Sequence, residues 1–350
     1  MKEKIREYID SISSELEVMS DRIFDLAEIS CEEFESCRIL EEYLEAHGFQ
    51  VEHGVGGMET AFRAVYEQGE GGPSFGLLAE YDALSMGHGC GHQMQGPAVI
   101  GAALCIRELC GEKPYKIVVY GTPAEEALGG KIIMQENGCF RDIDLALMMH
   151  GAPDTCTDKK CLALSTYHVE FFGKKAHAAI APEQGRSAFD ALLLAFQGVE
   201  FLREHVRDDV RLHYTVKELP GPENVVPGYA VGKFALRSFS RDYLDSLKDR
   251  FYNIINGAAM MSGVEAKITE TQSLDNKVPV FALNDLVMKN AAEAGIPDLK
   301  PPREKTGSTD FGNVMHRLPG CCLRVQFVPS GTASHSQEYI QAGKTEAAHN

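Results

Sequence analysis

Apolar residues recur at steps of three and four along the first 27 residues of the chain, with charged residues and serines between them. The apolar stripe consists of Ile5, Tyr8, Ile9, Ile12, Leu16, Met19, Ile23 and Ala27. This period places the stripe on one face of a helix, and the charged opposite face predicts packing on a protein core rather than in a membrane. A second helix is predicted over residues 32–47, with Gly48 as its stop signal.

The next part of the chain contains apolar runs of strand length separated by a helical segment. Strands are predicted at 75–84 (FGLLAEYDAL), 116–120 (KIVVY) and 145–149 (LALMM), and a helix at 97–109. Continuous apolar strands separated by helices are typical of a mostly parallel sheet that is covered on both faces. A helix over 283–294 and a strand over 322–328 are predicted to complete this domain.

Between these two parts the strands change to an alternating pattern. Strands are predicted at 166–173, 210–219, 228–239 and 265–274, and helices begin after the N-cap residues Ser187 and Ser240. The resulting order, β-α-β-β-α-β, is that of a ferredoxin-like domain. We therefore predict an α/β protein with a split, mostly parallel-sheet domain of residues 1–163 and 276–350. An inserted ferredoxin-like α+β domain of residues 164–275 interrupts it.

Charge and composition narrow the class of protein. With 34 basic and 51 acidic residues among 350, the net charge of −17 argues against nucleic acid as a partner. No apolar run approaches the length of about 18 residues that a membrane span needs, and the N-terminal segment lacks the apolar core of a secretory signal. We therefore expect no membrane partner and a cytoplasmic location, where most of the ten cysteines are free thiols.

Candidate catalytic chemistry begins in the glycine-rich segment 88–92. The chain has no GxSxG, GxxxxGK[ST] or HExxH motif, and no GxGxxG follows a strand. In segment 88–92, flanking glycines allow a tight turn that could bring Cys90 and His92 onto one transition-metal ion. Alone, this pair is a weak signal. A redox role for Cys90 has little support, because no second cysteine stands at a recognised spacing.

Three further candidates lie along successive strand ends and loops. Glu125 and Glu126 follow the strand that ends at residue 120, at the edge where open α/β sheets bind ligands. His150 follows the strand 145–149, and His335 lies near the C-terminus. Each has an ordinary alternative, namely a solvated acidic turn, a core histidine and a surface-loop histidine. Their order along the chain is what indicates one shared site.

Together these segments closely resemble the M20 metallopeptidase and aminoacylase superfamily, in its amidohydrolase branch of aminobenzoyl-glutamate hydrolase and dipeptidase-like members. The similar segments are AEYDAL with GHGCGH, GTPAEEALGGK, MMHGAP, KKAHAAIAPEQGRSAFDAL, GSTDFGNV and SHSQEY, and they span nearly the whole chain. The resemblance implies a metal-binding catalytic domain with an inserted lid and dimerisation domain. It also implies a homodimer that acts on a small-molecule amide or dipeptide.

The same resemblance implies two bound divalent metal ions. The implied ligands are Cys90, His92, Glu126, His150 and His335. If Cys90 bridges both ions, each ion receives three protein contacts, and a shared water completes about four-coordinate geometry. The thiolate favours Zn²⁺, with Mn²⁺ and Co²⁺ as alternatives. Glu125 is implied to be the general base. Asp82 is implied to orient a ligand histidine, although it could equally serve only to end a strand.

Substrate recognition is implied to depend on the inserted domain. His213 falls on the polar face of the predicted strand 210–219, and the resemblance implies that it reaches the active site of a partner chain. Its alternative is an ordinary surface histidine. Asn224 and Arg237 match positions that contact a substrate carboxylate, which an arginine can bind through both oxygens. His177 matches a histidine of the substrate pocket.

Two features depart from the family pattern. Gln93 stands where relatives carry Asp or Asn, and residues 336–350 form a short polar end, expected to be frayed, in place of a long helix. The predicted function is metal-dependent hydrolysis of the amide bond of an N-acyl amino acid, an aminobenzoyl-glutamate-like compound or a dipeptide. The alternative is a non-catalytic, metal-containing binding or regulatory protein on the same scaffold.

Overall fold

The chain divides into two compact units in the computed structural model, which describes residues 1–304 and 306–350. Unit 1 comprises residues 1–160 and 277–350, and unit 2 comprises residues 161–276.

Helices and strands alternate along most of the chain. The helices are α1 Lys2–Leu26, α2 Phe34–Ala46, α3 Gln95–Leu109, α4 Gly130–Glu136, α5 Ala188–Arg203, α6 Arg241–Ser262, α7 Phe281–Ala294, α8 Phe311–Met315, α9 Gln337–Ala342 and α10 Glu346–His349. The strands are β1 Gln50–His53, β2 Phe62–Gln68, β3 Ser74–Ala79, β4 Tyr115–Gly121, β5 Leu145–Ala152, β6 Ala163–Phe172, β7 Ala176–His177, β8 Arg211–Val216, β9 Val225–Val226, β10 Tyr229–Ser238, β11 Glu265–Leu274 and β12 Gly320–Gln326. No helix of the described residues is long and apolar enough to cross a membrane.

Unit 1 is built on a mostly parallel six-stranded sheet with the order β1-β2-β4-β3-β5-β12. Strands β4, β3, β5 and β12 are parallel to their neighbours in this run, whereas β1 and β2 add an antiparallel edge. The prediction of a mostly parallel sheet is confirmed, but β1 and β2 were not predicted. Because β3, β4 and β5 are parallel, their carboxyl ends meet at one edge of the sheet, and Cys90 and His92 after β3, Glu125 and Glu126 after β4, and His150 near the end of β5 come from that edge.

Helices cover both faces of this sheet, which explains why its central strands are apolar without alternation. Leu77 and Val119 pack in one core cluster with residues of α1, α2 and α3. Leu78 and Val118, the adjacent residues on the same strands, pack in a second cluster with residues of α4 and α8.

Unit 2 contains a four-stranded antiparallel sheet with the order β11-β6-β10-β8 and the helices α5 and α6. The chain order of these six elements is the predicted β-α-β-β-α-β. Both predicted N-caps are present, since the hydroxyl of Ser187 accepts a hydrogen bond from the backbone N–H of Asp190, and that of Ser240 one from Tyr243. The two-stranded pair β7-β9 was not predicted.

The expectation of a frayed C-terminal segment is wrong, because it forms α9 and α10. Tyr339 is 2% exposed and meets the ring of Phe327 edge-on, with centroids 5.0 Å apart. The Gln93 amide donates to the carbonyl oxygen of Gly343 at 3.2 Å. His349 contacts Asp21 of α1 at 2.9 Å. A few specific contacts hold this polar segment in place. The segment has no periodic apolar pattern from which these contacts could have been predicted.

Candidate metal centre and active site

The first part of the site is the segment that follows strand β3. The predicted strand 75–84 ends earlier, at Ala79, and the next three residues turn their side chains into the interior. The glycine-rich loop after them requires Gly91, whose φ of 83° lies in the left-handed region that favours glycine. This turn separates Cys90 from His92 and allows both side chains to face one centre.

The imidazole of His92 is completely buried and has a fixed orientation. Its Nδ1 atom lies 3.1 Å from the Oδ1 atom of Asp82 and 3.0 Å from the backbone carbonyl oxygen of Asp82. Both partners are acceptors, so Nδ1 carries a proton and Nε2 is the nitrogen left to bind a metal ion. Among the described residues, this buried Nε2 atom has no hydrogen-bond partner.

His150 is oriented in the same way from the neighbouring strand. It lies within β5 rather than after it, because β5 continues to Ala152 by pairing with β12. Its Nδ1 atom donates to the carbonyl oxygen of Gly151 at 2.7 Å, and its Nε2 atom lies 3.7 Å from the sulfur of Cys90. The lone pair of a second imidazole therefore points toward the thiol.

Glu126 and His335 form the other side of the centre. The backbone N–H of Glu126 donates to the Oδ2 atom of Asp82 at 3.0 Å, which ties this glutamate to the carboxylate that also contacts His92. Its Oε1 atom is buried without a hydrogen-bond partner among the described residues, and lies 3.5 Å from the Nε2 atom of His335. The backbone of His335 donates to the carbonyl oxygen of Gly89 at 2.8 Å.

The structure brings all five candidate ligands into two trios that share Cys90. In one trio, the donor atoms of Cys90, His92 and His150 lie within 4.8 Å of one another. In the other, the same holds for Cys90, Glu126 and His335. Thiolate, imidazole and carboxylate are the donors that zinc and related ions prefer, and the two unpartnered buried atoms need a cation. These residues therefore fit a pair of divalent ions.

Electrostatic contacts within the trios favour the thiolate form of Cys90, which is the form that binds a cation. Burial would raise the pKa of Cys90, but the neighbouring His92 and His150 hold that pKa well below its ordinary value. Contacts with Cys90 and Glu126 raise the pKa of His335 to about 10. A thiolate and an imidazolium thus face each other in the metal-free protein, and a metal ion would displace the proton of His335.

Glu125 lies at the junction of the centre and a cluster of carboxylates. It follows Ala124, which has a φ of 60° and whose backbone N–H donates to the buried carboxylate of Glu33 at 2.8 Å. One Glu125 carboxylate oxygen lies within 4.8 Å of donor atoms of His92 and Glu126. Burial, together with the negative charges of Glu80 and Asp310, raises the pKa of Glu125 well above its ordinary value. A carboxylate in this environment is a stronger base than one in water.

A buried ion-pair cluster, Glu80–Lys131–Asp310, completes this side of the site. The ammonium of Lys131 donates to the carboxylates of Glu80 and Asp310, at 2.8 Å for Asp310, and all three side chains are at most 1% exposed. Sequence reasoning assigned no role to Glu80 or Lys131. Two features of the sequence could have pointed to them: the carboxylate of Glu80 interrupts an apolar strand run, and Lys131 has no acidic residue one helical turn away.

The four candidate residues of unit 2 occur as two pairs. His177 is on β7 opposite Val225 of β9, and the carbonyl oxygen of the adjacent Asn224 accepts a hydrogen bond from Ala178 at 3.0 Å. His213 on β8 and Arg237 on β10 share one face of the four-stranded sheet. Burial and the charge of Arg237 lower the pKa of His213, which is exposed on this edge strand.

Comparison with known proteins identifies the family. Residues 79–349 match the model of peptidase family M20/M25/M40. The chain is 30% identical over 370 residues to the human Xaa-Arg dipeptidase, covering 99% of this chain and 84% of that protein. It is 32% identical over 304 residues to one of the p-aminobenzoyl-glutamate hydrolase subunits of Escherichia coli, covering 80% of this chain and 62% of that subunit.

The fold is similar to that of solved structures of the same family. A dinuclear metal-binding M20 peptidase from Bacillus subtilis superposes with a TM-score of 0.72 at 18% identity, covering 97% of this chain and 98% of that one. The chain therefore belongs to peptidase family M20/M25/M40, and it is a metallo-amidohydrolase, a hydrolase of amide bonds.

Proposed function

We propose that this chain hydrolyses the amide bond of an N-acyl amino acid, an aminobenzoyl-glutamate-like compound or a dipeptide, with two divalent metal ions and Glu125 as general base. The observation that carries the proposal is the pair of trios that share Cys90, with the Glu125 carboxylate beside both His92 and Glu126. A protein that only binds its ligand has no need for a basic carboxylate at that position.

In this proposal Cys90, His92 and His150 would hold one ion, and Cys90, Glu126 and His335 would hold the other. The bound ions, with Zn²⁺ favoured by the thiolate, would polarise the scissile carbonyl and lower the pKa of the attacking water. Asp82 keeps the Nδ1 atom of His92 protonated, so the Nε2 atom stays available as a ligand.

Glu125 carries the proton transfers. Its carboxylate accepts a proton from the attacking water and then delivers it to the nitrogen of the leaving amine. The raised pKa of Glu125 supports both steps. It makes the carboxylate a stronger base toward the attacking water, and it keeps the carboxyl protonated until the leaving amine takes the proton. No side chain needs to form a covalent intermediate in this scheme.

The substrate class rests on the relatives and on the residues of unit 2. The names of the relatives, Xaa-Arg dipeptidase and p-aminobenzoyl-glutamate hydrolase, both describe substrates with an amide bond and a free carboxylate. We propose that Arg237 and Asn224 bind that carboxylate, and that His177 and His213 also contact substrate. A guanidinium suits this role because it pairs with both carboxylate oxygens.

We further propose that the chain is a homodimer, assembled through unit 2. Strand β8 is at the edge of the four-stranded sheet, and its Tyr214 and Val216 are 36% and 37% exposed. An edge strand of this kind can pair with the same strand of a second copy. His213 is on β8 and would then lie at the dimer interface.

The proposed function is tested by exchanging each of the adjacent glutamates for glutamine. A panel of p-aminobenzoyl-glutamate, N-acetyl amino acids and Xaa-Arg dipeptides is assayed with the chain loaded with Zn²⁺, Mn²⁺ or Co²⁺. Glu125→Gln should lower kcat roughly 1000-fold while the metal content stays unchanged. Glu126→Gln, the matched control, should lose metal. Full metal loading with no hydrolysis of any amide would favour the binding-protein alternative, and an active Glu125→Gln variant would refute the role of the base.

A mixing experiment tests the dimer. Equal amounts of Glu125→Gln and His213→Ala chains are unfolded, mixed and refolded together. If His213 acts in the site of the partner chain, about a quarter of the wild-type activity returns, because half of the dimers are mixed and each contains one complete site. Monomers in analytical ultracentrifugation, or mixtures as inactive as the separate variants, would contradict the proposal.

A further inference from the structure

The ammonium of Lys131 lies between the buried carboxylates of Glu80 and Asp310, and the half-buried carboxylate of Glu125 is close to both of them. The ammonium contacts Glu80 and one carboxylate oxygen of Asp310. The backbone N–H of Lys131 donates to the other carboxylate oxygen of Asp310 at 2.9 Å. The second oxygen of Glu80 accepts a hydrogen bond from the Gln95 amide at 2.8 Å. Every one of these side chains is completely or almost completely buried, so their positions are tightly fixed.

The third carboxylate is that of Glu125. One oxygen each of Glu80, Glu125 and Asp310 lie within 4.8 Å of one another. Three carboxylates at this separation repel one another where burial reduces the screening by solvent, and they would move apart or share protons without a compensating cation. The charge of Lys131 opposes this repulsion, and all three carboxylates in turn raise the pKa of Lys131.

A purely structural reason for this cluster is weak. Burial of ion pairs generally stabilises a protein no better than apolar residues of the same volume would. The Glu80 carboxylate also lies 3.4 Å from the Nε2 atom of His92, so the cluster reaches from Glu125 to His92. Glu125 therefore lies between the Glu80–Lys131–Asp310 cluster on one side and the ligands His92 and Glu126 on the other.

We propose that Lys131 is a positioning residue for Glu125: it holds Glu80 and Asp310 in place, and these carboxylates confine the Glu125 side chain to the orientation in which it meets the attacking water. This inference rests on the proposed role of Glu125 as general base. Lys131 itself touches neither substrate nor metal. Its loss should lower kcat and leave KM and metal binding unchanged.

The experiment uses the double variant Glu80→Gln/Lys131→Met, because Lys131→Met alone leaves an excess of buried negative charge and can fail to fold. The double variant removes one carboxylate and one ammonium, so the formal charge of the cluster does not change. We expect a folded, fully metal-loaded protein whose kcat is about 100-fold lower, since a base misplaced by about 1 Å loses this much. KM should stay within about threefold.

Matched variants distinguish a role of Lys131 in positioning Glu125 from a role in the stability of the fold. Arg63→Met/Asp142→Asn removes a partly buried ion pair of the same unit away from the site and should keep kcat within about twofold. Lys131→Arg, which keeps the charge, should retain more activity than Glu80→Gln/Lys131→Met. A crystal structure of Glu80→Gln/Lys131→Met should show the Glu125 carboxylate displaced.

The inference is overturned if the folded, metal-loaded double variant keeps kcat within about threefold of the wild type. It is also overturned if the Glu125 carboxylate stays in place, or if activity falls only in proportion to lost metal or lost folded protein. The proposed function fails separately, if the unaltered chain hydrolyses no amide or if Glu125→Gln is active.

Discussion

The Oδ1 atom of Asp82 lies 3.1 Å from the Nδ1 atom of His92, and both side chains are completely buried. The other carboxylate oxygen of Asp82 accepts hydrogen bonds from the hydroxyl of Ser30 at 2.7 Å and from the backbone N–H of Glu126 at 3.0 Å. One carboxylate therefore orients a residue of each trio. Strand termination alone would not require any of these contacts.

Replacement of Asp82 by asparagine should weaken metal binding without removing a ligand. The neutral amide is a poorer acceptor for the Nδ1 proton of His92, so the imidazole becomes a weaker and less well oriented ligand. We expect metal affinity to fall about 10- to 100-fold, measured by competition with a chelator. Asp25→Asn, on the exposed side of α1, is the control and should bind metal as the wild type does. Equal affinities for both variants would refute the orienting role.

The number of metal ions lost should depend on which ligand is removed. His150→Ala removes a ligand of one trio and His335→Ala a ligand of the other, so each variant should keep about one tightly bound ion per chain. Cys90→Ala removes a ligand from both trios and should weaken both ions. Metal analysis after gel filtration measures the stoichiometry. A Cys90→Ala variant that keeps both ions with unchanged affinity would show that the thiol does not bridge them.

Metal affinity should rise with pH because of His335. Its contacts with Cys90 and Glu126 raise its pKa to about 10 in the metal-free protein, so it is protonated at neutral pH and must release that proton to bind an ion. Between pH 6 and pH 9, the logarithm of the association constant should therefore rise by about one more unit per pH unit for the wild type than for His335→Ala.

Isothermal titration calorimetry in buffers of different ionisation enthalpy measures the same proton directly. The wild type should release about one more proton per chain than His335→Ala when it is loaded at pH 7. Equal proton release by the two proteins would mean that His335 is already neutral in the metal-free state.

Most of the fold was predictable because its strands and helices bury periodic apolar faces. The stripe from Ile5 to Ala27 predicted α1, and the hydroxyls of Ser187 and Ser240 predicted the starts of α5 and α6. Strands β1 and β2 were missed, since residues 50–68 mix glycine and charged residues with apolar ones and form an edge that is only partly buried. Their pairing is antiparallel and depends on tertiary contacts.

The site was predictable where ligands follow strand ends in a recognised order, as Cys90 and Glu126 do. Glu80 and Lys131 could not be assigned, because the two residues are 51 positions apart and their pairing depends on the parallel alignment of β3 and β4. A charged residue in a buried run is a signal that a partner exists. The sequence does not say which partner it is.

Asp158 forms a second buried ion cluster, and removal of its charge should destabilise the protein. Its carboxylate, 3% exposed, contacts Lys277 at 2.6 Å, Arg303 at 2.7 Å and Arg324 at 3.2 Å. Burial would raise the pKa of Asp158, but the three cations hold that pKa well below its ordinary value. The contacts join the segment before unit 2 to the segment that follows it and to strand β12.

Asp158→Asn should destabilise the protein by about 3–5 kcal/mol at pH 7, because it leaves buried cations without their counter-charge. The folded-state pKa of Asp158 is depressed, so its stabilisation is complete above the unfolded value of about 3.9 and is lost as the pH falls through the folded value. Urea unfolding of wild type and variant should thus differ by a constant amount from pH 8 to about pH 5, and by less in stronger acid. Glu304→Gln breaks the neighbouring exposed pair with Lys159 and should destabilise the protein much less than Asp158→Asn does, because solvent screens that pair. Equal losses for the two variants would refute the buried ion cluster as a source of stability.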